Sequence, residues 1–216
     1  MANTTSPCGI EMKIIRVEPT EKTVSLTWMV GAQCNYDCMY CPSWSHNNDR
    51  PYHTFEDLKT TWLNFYSATC DKNLPYKIGF TGGEVTANKN FLPLIEFLRD
   101  QQTVSMQLMI NTNGSASQRY YLRLAELVDA ISFSTHSEFF DEQKFFKKVF
   151  LINQQMTRPE KSVHVNIMDE YWNQDRIKMY KDLLDINNVS YSVNAIDYDV
   201  KIRDFPVQKG QLNLAT

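Results

Sequence analysis

Three cysteines, Cys34, Cys38 and Cys41, stand within eight positions in the stretch QCNYDCMYCP (33–42). Thiolate sulfur is a soft ligand that suits zinc or iron–sulfur clusters. A structural zinc site takes four protein ligands, and His46 could complete such a set. Zinc more often sits between paired C-x2-C knuckles, so the C-x3-C-x2-C spacing fits it less well. A cubane [4Fe–4S] cluster usually takes four cysteines. Three in one tight loop leave one iron without a protein ligand, a position that another group can fill. Cys8 and Cys70 are remote in sequence. They read as a free thiol in an N-terminal arm and a small buried residue near a helix end.

Strands alternate with helices along the chain. VSLTWMV (24–30) is a β-rich run that feeds directly into the cysteine loop. Further strands read at YKIGFTGG (76–83), VSMQLMINTNG (104–114), AISFSTHS (130–137), SVHVNIMD (162–169) and VSYSVNAID (189–197). Helices read at 54–69, 88–100, 117–128, 138–155 and 170–186. The first of them begins with Thr54 as N-cap and Asp57 three residues on, an N-terminal signature. Alternation of this kind argues for parallel βαβ units with right-handed crossovers. An eight-fold barrel takes about 250 residues, more than the 216 here. The expected fold is therefore α/β, an open partial (β/α)6 barrel with mainly parallel strands. It would span 24–197, after an arm (1–23) with a lead-in strand at 12–18 and a turn at 19–22, and before an irregular tail (198–216). In such folds the chemistry sits at the C-terminal ends of the strands. Those ends carry nearly every unusual residue of the chain.

Composition narrows the partners. Net charge is −3 with no Lys/Arg block, which argues against non-specific nucleic-acid binding. No apolar run approaches the ~20 residues of a membrane span, and the N-terminus lacks the apolar core of a signal peptide. Five cysteines, three of them crowded together, point to a reducing compartment rather than a disulfide framework. The expected location is the cytoplasm.

Cys34-x3-Cys38-x2-Cys41 after a strand, with Tyr40 just before the third cysteine, resembles the signature of the radical SAM superfamily. Gly82-Gly83-Glu84 at the second strand end looks like that family's GGE motif, and Thr112-Asn113-Gly114 ends the third strand as in many members. The resemblance covers roughly 24–197 and implies the same partial barrel. It implies that Cys34, Cys38 and Cys41 hold a [4Fe–4S] cluster whose fourth iron takes the amino and carboxylate groups of S-adenosylmethionine. Reductive cleavage of that cofactor yields a 5′-deoxyadenosyl radical that abstracts hydrogen from substrate. By the same resemblance Tyr40 contacts the adenine. Gly82 and Gly83 let the backbone approach the methionine amino group, which any Cβ would obstruct. Glu84 accepts from that amino group or braces the turn, the bland alternative being a surface glutamate.

Further along the match is looser. Thr112 and Asn113 lie near where relatives contact the bound methionine. Ser134 matches a position used for the carboxylate or ribose. His164-Val-Asn166 stands where some relatives have a lysine two residues before an asparagine; a histidine there is charged only below its pKa of ~6.5. His136, which strand alternation puts on the same face as Ser134 and Ser132, is expected to contact substrate or else to cap the next helix. No catalytic residue is expected beyond the cluster–cofactor assembly. No cysteine follows Cys70, which disfavours an auxiliary cluster. The likeness is to the MoaA/PqqE-like branch in a minimal form without a C-terminal auxiliary-cluster domain. Loop 42–53, with Trp44 and Tyr52, and the tail are expected to shape substrate access.

The resemblance thus implies an enzyme that draws electrons from an external donor such as flavodoxin or ferredoxin. Its substrate is expected to be a small molecule, such as a nucleotide, sugar or other metabolite. The alternatives are modification of a peptide or protein, including glycyl-radical activation, and a non-enzymatic iron–sulfur electron carrier or sensor.

Overall fold

The computed structural model describes residues 19–20, 23–41, 48–101 and 104–196. The expected lead-in strand at 12–18, positions 42–47 of the access loop, and the tail lie outside the described residues, as do Cys8, Trp44 and His46. One sheet runs β1 (Pro19–Thr20), β2 (Thr23–Met29), β3 (Tyr76–Thr81), β4 (Met106–Thr112), β5 (Ala130–Ser134), β6 (Ser162–Asp169), β7 (Ser190–Ala195), in that spatial order. β1 pairs antiparallel with β2, and β2 through β7 are all parallel. Helices α1 (Phe55–Ser67), α2 (Phe91–Arg99), α3 (Gln118–Leu127), α4 (Glu142–Gln155) and α5 (Gln174–Ile186) connect the six parallel strands in succession. The α/β partial barrel expected from the alternation is the fold.

Local chemistry explains most boundaries. Thr54 and Asp57 form the expected capping box at the start of α1. Pro93 is the third residue of α2, where a missing N–H costs no helical bond. Three helices, α2, α4 and α5, start later than their sequence pattern suggests. α4 begins at Glu142 because Asp141 caps it, accepting from Lys144 N–H. α5 begins at Gln174, after a turn in which Asn173 N–H donates to Glu170 O at 2.8 Å. Cys70 lies in a short 3-10 turn and is exposed, not buried as expected. Helix α1 has ended before it, so its side chain has no core to enter.

The two faces of the sheet differ in chemistry. Leu26, Trp28, Ile78, Phe80, Leu108, Ile110, Ile131, Phe133, Val163 and Val165 are buried on one face. They pack against the helices: Phe80 meets Phe91 of α2 with centroids 5.4 Å apart, and Phe133 meets Tyr121 of α3 at 5.1 Å. Alternation then turns Thr27, Lys77, Gln107, Asn111, Ser132, His164, Asn166 and Ser192 to the other, concave face. No helix among the described residues is long and apolar enough to cross a membrane.

Phe80 is fully buried between Trp28 and Phe91. Phe80→Ala should lower the unfolding free energy by about 3–5 kcal/mol, read as a lower urea midpoint with an unchanged slope.

Candidate functional site

The chain leaving β2 is zipped to the end of β3. Gly83 N–H donates to Gly31 O at 2.9 Å, and Glu84 N–H to Gln33 O at 2.8 Å. Gly82 has φ +144°, and a Cβ on it would lie 2.2 Å from Gly31 O. A Cβ on Gly83 would lie 2.1 Å from Gln33 O. The close approach these glycines permit is therefore, in this fold, to the protein's own backbone at the root of the cysteine loop.

Glu84 is buried, which removes the surface-glutamate alternative. Its Oε1 accepts from Thr86 N–H at 2.9 Å, Thr86 Oγ1 at 2.6 Å and Thr112 Oγ1 at 2.7 Å. Its Oε2 accepts from Asn113 N–H at 2.6 Å. The carboxylate thus joins the ends of β3 and β4. Thr112 shares its hydroxyl with Tyr121 at 2.7 Å and faces the helices. Asn113 instead reaches the cysteine loop, donating from Nδ2 to Asn35 Oδ1 at 3.0 Å.

The loop itself is held from several sides. Gln33 Nε2 donates to the carbonyls of Arg50 and Pro51, both at 2.8 Å. Asn48 and Cys34 exchange two hydrogen bonds at 3.0 Å. Tyr36 stacks on Phe139 with centroids 5.2 Å apart, and Met39 N–H donates to Glu138 at 3.2 Å. Cys38 is buried, while Cys34 and Cys41 are half-buried. Burial pushes the Cys34 thiol up to about 11, against the opposing N–H of Tyr36, which lies 3.4 Å from its sulfur. Burial also pushes Cys38 up, with the charges of Glu138, Cys34 and Cys41 adding to it.

His136 departs from expectation. β5 ends at Ser134, and the chain leaves the sheet at Thr135, so alternation no longer governs position 136. Its carbonyl accepts from Phe139 and Phe140 N–H in a turn. Its Nδ1 lies 2.6 Å from Tyr40 OH and 3.4 Å from Cys38 Sγ. Asp141, not His136, caps the following helix. Burial holds the imidazole down to about 4. Tyr40 OH also donates to Glu170 Oε1 at 3.1 Å, so the tyrosine bridges the two loops that follow β5 and β6. Glu170 is fully buried, and burial raises its pKa against the N–H of Ser137 and the hydroxyl of Tyr40.

On the concave face, Asn166 Nδ2 donates to Ser132 Oγ at 2.8 Å and more weakly to Ser134 Oγ at 3.4 Å. Ser192 Oγ donates to Asn166 Oδ1 at 3.1 Å. His164 has one ring nitrogen 3.0 Å from Ser190 Oγ and the other 3.1 Å from Ser192 Oγ. Burial lowers its pKa. The imidazole thus sits in a wall of hydroxyls on β6 and β7.

The expected residues therefore form two groups. Tyr40, Gly82, Gly83, Glu84, Asn113 and His136 gather about Cys34, Cys38 and Cys41. Ser134, His164 and Asn166 gather on β5 and β6, and Thr112 turns away toward the helices. Sequence reasoning missed Glu170, Gln33, Asn35, Ser190 and Ser192. Glu170 lay in a strand-end segment, but nothing in sequence distinguishes a buried glutamate from the solvated kind. Ser190 and Ser192 face His164 and Asn166 through the β6–β7 register, which sequence does not give.

Residues 28–149 match the radical SAM superfamily, and the chain belongs to that superfamily. Similar folds occur in two crystal structures of Streptococcus suis SuiB, at 15% identity in both. The first has a TM-score of 0.61 and is covered over 84% of this chain and 41% of that one. The second, bound to S-adenosylmethionine, gives 0.62, with 89% and 47% covered. BtrN in complex with AdoMet and 2-DOIA gives 0.51 at 16% identity, with 80% and 69% covered. The chain thus spans less than half of the SuiB chains it matches. No curated protein sequence matches it.

The donor set fits an iron–sulfur group. Three soft thiols share one loop, Tyr36 N–H approaches Cys34 Sγ at 3.4 Å, and His136 Nδ1 lies 3.4 Å from Cys38 Sγ. Desolvation makes uncompensated thiolates costly there, a cost that a bound cation offsets. Among the described residues no group of three such side chains stands in metal-holding geometry.

Glu84→Gln puts an amide NH2 among donors, and should cost about 1–3 kcal/mol, measured by chemical unfolding. The pH dependence has a definite sign. An unfolded histidine takes up protons near pH ~6.5, while folded His164 resists them. Its contribution is full above that pH and is lost as pH falls toward the lowered folded value. His164→Gln should therefore flatten the fall of the urea midpoint below about pH 6.5.

Proposed function

We propose that this chain is a radical S-adenosylmethionine enzyme acting on a polar small molecule. The observation that carries the reading is a three-cysteine loop anchored to the ends of β3, β4, β5 and β6. Cys34, Cys38 and Cys41 would hold a [4Fe–4S] cluster, which together with S-adenosylmethionine supplies one-electron reduction and hydrogen-atom abstraction. A low-potential donor such as flavodoxin or ferredoxin would deliver the electron. Ser134 and Asn166 offer a hydroxyl and an amide to a ribose or carboxylate. Glu84 and Thr112 act by position, since their polar atoms are bonded to each other and to the backbone. Half-buried Tyr40, within the cysteine loop, is consistent with a role at the adenine, chiefly through its backbone and ring, because its hydroxyl is engaged.

The concave face favours a small molecule as substrate. Its inward strand positions include Thr27, Lys77, Gln107, Asn111, Ser132 and His164. Standard barrels fill these places with branched apolar side chains; hydroxyls and amides instead suit a nucleotide, a sugar or a similar metabolite. One observation favours a peptide substrate: among the described residues the outer edge of β7 pairs with no further strand. An extended peptide can add to such an edge.

Reconstitution with iron and sulfide without oxygen, followed by dithionite and S-adenosylmethionine, tests the class. Wild type should form 5′-deoxyadenosine by mass spectrometry, and the Cys34→Ala, Cys38→Ala, Cys41→Ala triple variant should not. Zinc binding with no iron–sulfur chromophore overturns the reading. Deuterium passing into 5′-deoxyadenosine from labelled sugars or nucleotides supports the small-molecule substrate; transfer only from labelled peptides supports the other.

A further inference from the structure

His136, Tyr40 and Glu170 come from three different strand-end loops and form one hydrogen-bonded chain that ends on a cysteine sulfur. Tyr40 has a single hydroxyl proton, and it goes to Glu170 Oε1 at 3.1 Å. With that proton on Glu170, the tyrosine oxygen is free to accept from His136 Nδ1, 2.6 Å away, in the tautomer protonated there. Nδ1 is also the atom that lies 3.4 Å from Cys38 Sγ. Glu170 cannot easily turn aside, because both of its carboxylate oxygens also accept from Ser137 N–H, at 3.1 and 3.3 Å. The imidazole is held as well. It lies nearly parallel to the Tyr40 ring, at 14° with centroids 6.1 Å apart, and meets the edge of Tyr36 at 76°.

We infer that His136 carries a proton on Nδ1, shares it between the Tyr40 oxygen and Cys38 Sγ, and as a positioning residue raises the reduction potential of the centre that Cys38 ligates. The inference rests on the proposed iron–sulfur function. Its physical basis is general: hydrogen bonds to ligating sulfur tune a cluster's potential. A donor to sulfur stabilises the reduced, more negative state over the oxidised one. Cys34 receives a comparable approach from Tyr36 N–H at 3.4 Å, but that donor is backbone. At Cys38 the donor is a side chain, and is therefore open to substitution.

Three variants separate donation from packing. His136→Phe keeps a flat ring and removes the donor. His136→Asn keeps an N–H near the Nδ1 position and removes the ring. Glu170→Gln leaves both in place and removes the carboxylate that orients Tyr40. Each reconstituted protein would be assayed for iron and sulfide, then titrated anaerobically with redox dyes, with the cluster signal followed by electron paramagnetic resonance. His136→Phe should shift the midpoint to more negative potential, and His136→Asn should return it toward wild type. Glu170→Gln should give a smaller shift of the same sign. A loaded His136→Phe protein with the wild-type midpoint overturns the inference and leaves the proposed function standing. If His136→Phe does not load, an unchanged midpoint in Glu170→Gln overturns it instead. A wild-type protein that takes up no cluster overturns both.

Discussion

At the end of β3 the backbone of Gly82 and Gly83 occupies space that no side chain could share, with Gly31 and Gln33 carbonyls against it. Two backbone hydrogen bonds then extend the β2–β3 pairing past the last strand residue and into the first turn of the cysteine loop. The loop therefore starts from a defined position over the sheet rather than from a flexible tether. Everything placed around the three sulfurs inherits that starting point.

Two buried carboxylates complete the anchoring. Glu84 binds the ends of β3 and β4 together and presents Asn113 to Asn35. Glu170 does the matching work across the sheet, receiving Tyr40 from the loop and Ser137 from the end of β5. A buried carboxylate is costly unless its oxygens are filled with donors, and both are filled. These satisfied bonds fix the spacing of the strand ends that the two glutamates join.

The sheet separates its functions by face. Apolar residues on the helix side supply the burial that stabilises the fold. The concave side carries hydroxyls, amides, one lysine, one histidine and the methionines Met29, Met109 and Met168 on strands β2 to β7, a mostly polar surface beside a few apolar positions. The network from Ser132 through Asn166 and Ser192 to His164 crosses three strands. Such a wall orders polar side chains before any ligand arrives.

The partial barrel was legible in sequence because alternating βαβ patterns, the Thr54 capping box and the turn glycines are local signals. The cysteine loop was legible for the same reason: three ligands of one kind at short spacing sit on one stretch of chain. Gly82 and Gly83 could be recognised as a close-approach motif, but not the backbone they approach. For His136 strand periodicity does not apply, because β5 leaves the sheet after Ser134. Glu170 passed unnoticed because it lies 130 residues from Tyr40, and burial is a property of the packed chain. The sequence by itself determined the elements, their order and the chemistry of the loop, since these depend on neighbouring residues. Only the tertiary structure decided which side chains meet across the strand ends, because hydrogen bonds between distant loops exist only once the sheet has set their separation.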